Sequence, residues 1–570
     1  MAEEVWMLQT KKADFKQIGA RFRIDPVTAR IIRNRGIEGE AAIDRYLNGT
    51  LDDLYDPMLL KDMERAVSIL CEAVDTGKKI RIVGDYDIDG VCSTYILLQA
   101  FERLGSDVDF EIPDRIKDGY GINESIIEQA HADGVEVILT CDNGISAFHQ
   151  VELAKKYGMT VVITDHHEVP LDGEKEKIPP ADAVIDPKQA DCPYPFPEIC
   201  GAVVAYKLVQ VLYARRGVPQ MEWLDLLEFA AIATVGDVMR LQDENRILVK
   251  YGLKKMAQTK NLGLRRLAEK NNLDLGAITA YHIGFVIGPC LNAGGRLKTA
   301  KEALALLRAQ SEEEAERLAE ELKELNDTRK DMTEQGTEAA KLQVESWYQK
   351  DKVLVVFLPE CHESLAGIIA GRLREYYQKP AIVLTRGEEA VKGSGRSIDE
   401  DHMFKKLTEV SDLLLKFGGH PLAAGLSLEE KNIDEFRRRL NENAGLTEED
   451  FKAKVWIDVP MPVGYVTERL VRELSCLEPF GQGNEKPLFA EKSLRIRASR
   501  VLGRNRNVVK MTLEETDGHA IEALYFGDGT AFEEERAGRR EIDVVYYPDI
   551  NEYNGRKTLQ AVIRRYKFRG

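Results

Sequence analysis

The sequence of 570 residues lacks the features that mark membrane and secreted proteins. It contains no run of about 18 uncharged apolar residues, which is the length a membrane-spanning helix needs. The first residues, MAEEVWMLQTKKADFKQ, contain no apolar segment typical of a secretory signal. The eight cysteines are scattered without a CxxC pair, so neither a disulfide framework nor a zinc ribbon is expected. We therefore expect a cytoplasmic protein without membrane contact.

The sequence also lacks a nucleotide-binding P-loop motif and an excess of basic residues, and both absences argue against particular functions. No GxxxxGK[ST] motif occurs, which disfavours a P-loop ATPase. Positive charge is also scarce, since 79 Lys and Arg residues against 96 Asp and Glu residues give a net charge of −17. Proteins that coat nucleic acid usually present a basic surface. Taken as a whole, the composition argues against a protein that coats DNA or RNA.

From residue 79 onward, apolar β-branched runs alternate with stretches of helical periodicity. Residues 1–75 instead predict short helices. The runs are KIRIVG at 79–84, VEVILTC at 135–141, MTVVIT at 159–164 and ADAVID at 181–186. Strands that are apolar throughout and separated by helices are typical of a parallel α/β sheet with both faces covered. We place this sheet in a domain spanning residues 76–300.

The remaining sequence predicts three further segments. Residues 301–350 read as one long charged helix that connects two α/β patterns. A second α/β unit, residues 351–455, begins with KVLVVFL and contains AIVLT and VKGSGRSI. Residues 456–570 are rich in short strands and turns, which favours a small β-barrel.

The densest carboxylate cluster follows the first predicted strand, in GDYDIDG. Asp85, Asp87 and Asp89 occupy alternate positions, so in extended chain they share one face about 7 Å apart. Like charges this close require a compensating cation. An EF-hand is excluded because its twelfth position, a bidentate glutamate, is Ile96 here. A solvated acidic turn stays as the alternative, but the carboxyl end of a buried parallel strand is where open α/β sheets place their sites.

Polar residues also end the next two predicted strands. Asp142 ends one strand, and the third ends in Asp165, His166 and His167, while Asp237 closes the apolar run AIATVGD. A strand-end aspartate is often only a helix cap. Mixed Asp and His ligands without thiolate nevertheless favour Mn²⁺ or Mg²⁺. The ligands exceed the need of one ion, and a pair of ions serves in-line phosphoryl displacement, so the residues indicate a dinuclear phosphoesterase.

The motifs GDYDIDG, CDNGIS, ITDHHE and VGDV resemble, in order, the four motifs of the DHH phosphoesterase superfamily. Within it the chain is similar to the single-strand-specific 5′→3′ exonucleases. That similarity extends through segments carried along nearly the whole chain: PVTARIIRNRGI, IPDRIKDGYG, ICGAVVAYKL, GPCLNAGGRL, CHESLAGIIAGRL, GSGRS, GGHPLAAG and LEPFGQGNEKPLF.

The resemblance implies a division of the ligands between two divalent cations, Mn²⁺ or Mg²⁺. One ion would be held by Asp85, Asp87 and Asp142, and the other by Asp89, Asp142, His166 and Asp237. His167 would face the scissile phosphate, and Asp165 would orient its neighbouring histidines. The implied catalytic set is Asp142, His166, His167 and Asp237.

The resemblance also implies a pocket for a terminal 5′-phosphate. Its members would be Arg115, Arg296, Ser394 and Arg396, with Asn292 beside them in NAGGRL. Guanidinium and hydroxyl groups bind phosphate oxygens directionally, although an isolated arginine is more often a surface residue.

Four ring-bearing side chains are further candidates for contact with an unpaired strand. Tyr86 and Tyr120 are candidate stacking platforms for its bases, with simple packing as the alternative. His362 and His420 lie in Gly-rich segments of the second α/β domain, which resembles the DHH-associated domain and would line the strand's path. A purely structural role is the alternative for both histidines.

The C-terminal domain resembles an oligonucleotide-binding fold. Residues 491–570 carry 16 Lys and Arg against 13 Asp and Glu, a net charge of +3 in an acidic chain, although a solvated edge strand would also explain them. The sequence departs from the family where Cys290 replaces an arginine, so one phosphate contact is expected to be missing. Ser364 and Glu485 likewise replace a usual Gly and Pro.

The function implied is degradation of single-stranded DNA from its 5′ end to 5′-mononucleotides, in repair and recombination. A monomer that works with a single-strand-binding protein and a RecQ-type helicase is expected. The alternatives are a small-substrate phosphoesterase acting on cyclic dinucleotides, short RNA or pyrophosphate, and a scaffold without catalysis.

Overall fold

The computed structural model describes residues 4–115, 119–553 and 555–569. The chain divides into two compact units. The larger unit comprises mainly residues 55–239 and 248–453, and the smaller comprises residues 5–54, 240–247 and 454–570.

The larger unit contains a five-stranded, fully parallel sheet in the order β3-β2-β4-β5-β8. Its strands are β2 (Ile80–Val83), β3 (Val108–Glu111), β4 (Val137–Cys141), β5 (Thr160–Thr164) and β8 (Ala183–Ile185), while β6 (Leu171–Asp172) and β7 (Lys175–Glu176) form a separate hairpin. Strands β2, β4 and β8 are buried along their whole length. The helices joining the strands cover both faces, so the sheet's carboxyl edge is where polar side chains can converge.

Helices surround this sheet and continue the chain beyond it. They are α4 (Met63–Thr76), α5 (Ile88–Arg103), α6 (Glu124–Ala132), α7 (Phe148–Lys156), α8 (Gly201–Arg215), α9 (Gln220–Leu224), α10 (Leu227–Gly236), α11 (Asp243–Met256), α12 (Leu262–Lys270), α13 (Ala280–His282), α14 (Gly288–Leu297), α15 (Lys301–Arg308) and α16 (Glu312–Gln343). Helices α5 and α8 are buried almost throughout, which explains their near-continuous apolar sequences.

A second sheet in the larger unit has the order β12-β13-β11-β10-β9. Only β9 and β10 are parallel, and the other pairs are antiparallel. Its elements are β9 (Leu354–Phe357), α17 (Ala366–Tyr377), β10 (Ala381–Arg386), β11 (Val391–Arg396), α18 (Met403–Thr408), β12 (Leu414–Gly419), β13 (Ala423–Leu428) and α19 (Ile433–Asn443). Helix α17 packs against β10 and β11, so its first turn lies beside the side chains of β11.

The smaller unit is built around a closed β-barrel. Strands β16, β17, β18, β20 and β19 pair in that order, and β19 pairs back with β16. The elements are β1 (Glu4–Leu8), α1 (Phe15–Phe22), α2 (Pro26–Asn34), α3 (Glu40–Asn48), β14 (Ala453–Ile457), β15 (Val459–Pro460), α20 (Glu468–Leu474), β16 (Phe489–Leu502), β17 (Val508–Glu514), β18 (Ala520–Phe526), α21 (Gly529–Arg536), β19 (Glu541–Tyr553) and β20 (Arg556–Phe568). Closure leaves the barrel strands without a free edge.

The predicted α/β class, parallel sheet, second α/β domain and C-terminal barrel are confirmed. Three details differ from the sequence prediction. Strand β3 was not predicted, because its sequence VDFE is only half-buried at the sheet edge. The predicted helix 301–350 is interrupted at residues 309–311, where Ser311 caps α16. The predicted segment 1–75 is divided, because Ile31, Ile32, Ile43 and Tyr46 share the barrel's apolar core whereas residues from 55 belong to the larger unit.

Candidate active site

The turn between β2 and α5, together with the first turn of that helix, brings three aspartates to the carboxyl edge of the parallel sheet. Asp87 is the N-cap of α5, where its Oδ1 accepts hydrogen bonds from the backbone N–H groups of Asp89 and Gly90 at 2.9 and 3.2 Å. Asp85, directly after the strand, accepts a hydrogen bond from the Gly121 N–H at 3.2 Å. The alternate spacing in the sequence therefore becomes a strand end followed by a helix cap.

Asp89 points toward the start of a different helix. Its two oxygens accept hydrogen bonds from the backbone N–H groups of Gly201 and Ala202, each at 2.7 Å, in the first turn of α8. A carboxylate is favoured there by the unpaired N–H groups and by the helix dipole. A side chain on residue 201 would place its Cβ 2.7 Å from the Cβ of Asp142, so only glycine allows this helix to begin here.

Asp142 and His166 lie at the centre of the cluster. Asp142 follows β4 with a φ of 61°, a left-handed conformation that non-glycine residues adopt rarely and that occurs at strained functional turns. The Nε2 atom of His166 lies 3.1 Å from Asp142 Oδ1, 3.4 Å from Asp89 Oδ2 and 3.9 Å from Asp237 Oδ2. Residues from two strand ends and two helices thus meet around one imidazole.

Asp165 supports the two histidines from behind. Its Oδ1 accepts hydrogen bonds from the backbone N–H groups of His166 and His167, and it lies 2.7 Å from Nδ1 of His167. Its Oδ2 accepts a hydrogen bond from the Ile145 N–H at 2.9 Å. Asp165 therefore orients the two histidines, and it is not among the grouped metal-ligating residues.

Burial and mutual repulsion raise the pKa values of several carboxyl groups in the cluster. Burial, followed by the charge of Asp87, raises the pKa of Asp85 to about 8. Burial and then the charge of Asp89 raise the pKa of Asp237 to about 8 and that of Asp142 well above its usual range. Such carboxyl groups ionise fully only when a cation compensates them.

Two groups of ligand atoms are close enough to share an ion. One comprises Asp85, Asp87 and Asp142, and the other comprises Asp89, His166 and Asp237, with the atoms of each group within 4.8 Å of one another. Asp142 joins a third group with His166 and His167, so it borders both. Carboxylate oxygens with one imidazole match the preferences of Mn²⁺ and Mg²⁺, and the residues therefore fit two such cations.

A cavity of about 350 Å³ lies beside this cluster, lined by residues from both α/β domains of the larger unit. Tyr86, whose neighbours in the chain are cluster aspartates, forms part of its wall. Arg115 lies over the Tyr86 ring with its guanidinium carbon 4.7 Å from the ring centre. Arg296 donates from Nη1 to the Ser364 carbonyl at 3.1 Å, and Arg396 donates to the Gly395 carbonyl at 2.8 Å.

The cavity is lined by three arginines and Lys392 against one carboxylate, Glu363, which pairs with Lys392 at 3.0 Å. Among the described residues, none of Arg115, Arg296 and Arg396 forms an ion pair with a carboxylate. Burial, followed by repulsion from Arg115, lowers the pKa of Arg296 to about 10. Burial likewise lowers the pKa of Arg396. The first turn of α17 also lines the cavity, so its N–H groups and three guanidiniums form a site for an anion.

The predicted substrate-binding residues line two adjoining cavities. Arg115, Arg296, Ser394, Arg396 and Tyr86 line the larger cavity, whereas Asn292 lines an adjoining cavity of about 110 Å³ together with Arg296.

Tyr120 contacts the cluster through its hydroxyl, which donates to the Asp142 carbonyl at 2.8 Å and lies within 3.2 Å of the His167 ring nitrogens. The sequence left both stacking and simple packing open for Tyr120, and half of the residue remains exposed. The hydroxyl therefore also links the loop that carries Tyr120 to Asp142 at the end of β4.

Three residues singled out in the sequence lie away from the larger cavity's lining. His362 caps the short 3₁₀ helix Glu363–Leu365 through Ser364, a structural contact. His420 is exposed near the β12–β13 turn. Cys290 is fully buried, accepts a hydrogen bond from Asn326 of α16 at 3.4 Å and is not part of this cavity's lining.

Lys392 and Gly367 are among the cavity residues that sequence reasoning missed. Lys392 lines it beside Ser394 and Arg396, and these three alternate along β11 so that they share one face. That period of two was readable in VKGSGRS. Gly367 contributes by its lack of a side chain, since a Cβ there would lie 2.9 Å from Nη2 of Arg396. No sequence pattern signals that close approach.

Comparison with known families supports three regions of the chain. The DHH family N-terminal domain matches residues 79–234, the DHHA1 domain matches residues 350–445, and the RecJ OB domain matches residues 457–565. Across the described residues no helix combines the length and apolarity needed to cross a bilayer.

Curated relatives match over nearly the whole chain. The single-stranded-DNA-specific exonuclease RecJ of Bacillus subtilis is 36% identical over 98% of this chain and 70% of its own length. The Escherichia coli protein of the same name is 34% identical over 95% of both chains. A crystal structure of Thermus thermophilus RecJ in complex with Mn²⁺ superposes with a TM-score of 0.84 at 28% identity, covering 99% of this chain and 79% of that one. A corresponding complex with Mg²⁺ gives a TM-score of 0.77 at 27% identity, covering 99% of this chain and 78% of that chain.

Proposed function

Because the chain belongs to the RecJ family of single-stranded-DNA-specific exonucleases, we propose that it removes 5′-mononucleotides from the 5′ end of single-stranded DNA at a two-cation centre. The enzyme is a metal-dependent exonuclease whose cofactors are Mn²⁺ or Mg²⁺. The observation that carries the proposal is the adjacency of two sites, one of clustered carboxylates and one of clustered guanidiniums.

The metal-ligating residues of the cluster form two groups, one for each cation. Asp85, Asp87 and Asp142 would hold one cation, and Asp89, His166 and Asp237 would hold the other with Asp142 shared between them. Divalent cations held there would stabilise the charge that develops on the attacking and leaving oxygens of a phosphodiester. His167, oriented by Asp165, would face the scissile phosphate.

The guanidinium cavity explains the proposed polarity. Arg115, Arg296 and Arg396, with Ser394, would hold the terminal 5′-phosphate through directional hydrogen bonds. Because Tyr86 belongs to both the cavity wall and the aspartate turn, an end seated in the cavity would present its first internucleotide linkage to the cluster. Hydrolysis would then release one nucleotide per cycle.

The C-terminal barrel suits capture of an unpaired strand. Its first long strand and the turn that follows carry exposed arginines, including Arg497, Arg500 and Arg504, and Phe526 is also exposed. Basic and aromatic side chains on such barrels bind single strands. A barrel suited to holding a strand disfavours the small-substrate alternative, because a small substrate does not need it. A complete set of metal ligands disfavours a scaffold without catalysis.

A role in DNA repair and recombination follows for an enzyme of this specificity. We infer that it works as a monomer in the cytoplasm, where a single-strand-binding protein and a RecQ-type helicase would supply unpaired ends.

The test compares four substrates with Mn²⁺ present: a 5′-phosphorylated single strand, the same strand with a 5′-hydroxyl, a blunt duplex and a dinucleotide. The proposal predicts that the phosphorylated single strand is degraded to mononucleotides most rapidly. Equal digestion of the blunt duplex, or a preference for the dinucleotide, would overturn it.

A further inference from the structure

Two exposed aromatic side chains stack on each other in the helical segment that leads into α14. Tyr281 and Phe285 are 63% and 67% exposed, and their rings lie with centroids 4.7 Å apart at an interplanar angle of 26°. Neither residue belongs to the metal-ligating groups or lines the cavity proposed for the 5′-phosphate. Large apolar side chains that lie together in solvent mark a binding surface.

The helical turn that carries this aromatic pair also forms one wall of a cavity beside the cluster. Ile283–Ile287 is a π-helical turn, a rare conformation that is frequent at functional sites. Gly284, next to Phe285 in the chain, lines the cavity of about 110 Å³. Gly236, which precedes the proposed metal ligand Asp237, lines the same cavity. The aromatic surface is therefore continuous with the approach to the cluster.

The glycine at residue 284 leaves this wall without a side chain. Glycine disfavours a helix relative to alanine, so its presence in a helical turn needs a reason. Packing does not supply one, because a Cβ at this position would meet only Cγ1 of Val235 at 3.6 Å, an ordinary contact. Backbone conformation does not supply one either, since Gly284 is outside the left-handed region. What the glycine provides is room for a ligand to approach the backbone.

The opposite wall of the cavity contains an arginine without a counter-ion. Arg329 of α16 lines the cavity and donates from Nε and Nη2 to Oδ1 of Asn326 at 3.1 and 3.0 Å. Asn326 is buried and donates to Cys290, so it holds the guanidinium in place. Among the described residues Arg329 has no carboxylate partner, and its Nη1 forms no hydrogen bond. This nitrogen is therefore free to donate to a ligand.

A second arginine lies near Arg329. Burial, followed by the charge of Arg372, lowers the pKa of Arg329. Arg372 is exposed on α17, one turn after Ile368, which lines the same cavity. In the part of the chain that the structure describes, Arg372 also has no carboxylate partner. Neighbouring guanidiniums without acids suit the phosphates of a nucleic-acid backbone.

We propose that the nucleotides on the 3′ side of the scissile linkage lie between these two walls. One unpaired base stacks on the Tyr281–Phe285 pair, and backbone phosphates contact Arg329 and Arg372. The inference deepens the proposed function, on which it rests, by placing the part of the strand that has not yet been cut. Every base has a face that can stack on an aromatic ring, so this site holds unpaired nucleotides without reading their sequence.

Fluorescence anisotropy with a 5′-phosphorylated single strand tests the aromatic wall, with chelator present so that the strand stays intact. In a series of strands, an abasic analogue replaces one nucleotide at a time. One position near the 5′ end should bind the unaltered protein about fivefold or more weakly when its base is absent, because the stack is lost. In Tyr281→Ala/Phe285→Ala this loss should fall below about twofold. Trp347→Ala removes an equally exposed ring elsewhere and should keep the full loss.

The salt dependence of the same binding tests the arginine wall. Each phosphate contact on a single strand contributes about 0.7 to the slope of log affinity against log salt concentration, so Arg329→Gln should lower the slope by about that amount. Arg329→Lys keeps the charge and should retain the slope. Arg317→Gln removes an exposed arginine from the same helix and should leave the slope unchanged.

Three results would overturn the inference: no position at which a missing base weakens binding, an equal loss in the double aromatic variant and the unaltered protein, or an unchanged salt slope in Arg329→Gln. Thermal melting of each variant is the control for folding, and the exposed aromatic side chains can be removed without opening a core. Neither binding measurement needs hydrolysis. A protein that binds strands in this way but releases no mononucleotide with Mn²⁺ would refute the proposed function and leave the strand site standing.

Discussion

The aspartate cluster and the guanidinium cavity are neighbouring sites of opposite charge. In each of them, buried groups of the same charge lie close together. In the cluster, burial and then the charges of neighbouring aspartates raise the pKa values of Asp85 and Asp237. In the cavity, burial and then the neighbouring guanidiniums lower the pKa values of Arg296 and Arg396.

A structural ion pair elsewhere in the same domain behaves differently. Arg81 is buried, but it binds Asp109 and Asp133 at 2.7 and 2.8 Å, and the pKa of Arg81 is raised. The difference teaches that buried charge paired within the protein serves the fold. Buried charge of one sign without a partner indicates a ligand of the opposite sign.

The largest expected effect follows from breaking the acidic side. Asp142→Ala removes the carboxylate that borders both ligand groups, so the rate of nucleotide release should fall by about 1000-fold or more. The measurement is release of acid-soluble label from single-stranded DNA with Mn²⁺. Asp172→Ala, an exposed aspartate on β6, is the matched control and should retain full activity. Activity of Asp142→Ala within tenfold of the unaltered protein would contradict the assignment.

The second prediction concerns stabilisation of the folded protein by Mn²⁺ bound at the aspartate cluster. Because cations bind the folded cluster and relieve its repulsion, Mn²⁺ at 100 times its dissociation constant should stabilise the fold by about 2.7 kcal/mol. Thermal melting with and without chelator measures this. Asp142→Ala should lose most of the increase, and an equal increase in both proteins would show that Mn²⁺ acts elsewhere.

The third prediction breaks the basic side. Charge-assisted hydrogen bonds contribute about 1.5–3 kcal/mol, so Arg396→Ala should lower kcat/KM on a 5′-phosphorylated strand by about 10- to 100-fold. The same variant should leave digestion of a 5′-hydroxyl strand nearly unchanged. Arg386→Ala, an exposed arginine on β10, is the control. A uniform loss on both strands would place Arg396 outside recognition of the end.

The smallest effect is expected where a neutral hydroxyl supports the cluster. Tyr120→Phe keeps the ring but removes the hydrogen bond to the Asp142 carbonyl, so kcat should fall about 2- to 10-fold. Tyr120→Leu removes the ring as well. If the two variants are equally impaired on long strands, the hydroxyl is the important group, whereas a much larger loss in Tyr120→Leu would restore the stacking role.

The sequence was most informative where function needs a particular side chain at a strand end. Asp85, Asp142 and His166 end apolar strands, so a parallel sheet alone predicts that they meet. Their positions at caps and first turns depend on backbone contacts that no residue pattern records, such as Asp89 accepting from Gly201 and Ala202. The contribution of Gly367 to the cavity depends on a long-range approach for the same reason.

The N-terminal region shows a different limit of sequence reasoning. Helices α2 and α3 carry ordinary amphipathic patterns that give no indication of which core they join. In the structure Ile32 and Tyr46 pack in the same core as Phe489 and Tyr546 of the barrel. Removing residues 456–570 would therefore expose apolar helix faces, so experiments on the barrel are better made with surface substitutions than with truncation.

Order of release from an end-labelled strand tests the central claim most directly. A 5′-phosphorylated single strand labelled at either its 5′ or its 3′ end is digested with Mn²⁺ under single-turnover conditions. If the guanidinium cavity seats the 5′-phosphate beside the cation centre, the 5′ label appears as a mononucleotide in the first turnover, while the 3′ label stays in shortening strands. Early release of the 3′ label as a mononucleotide would contradict the account.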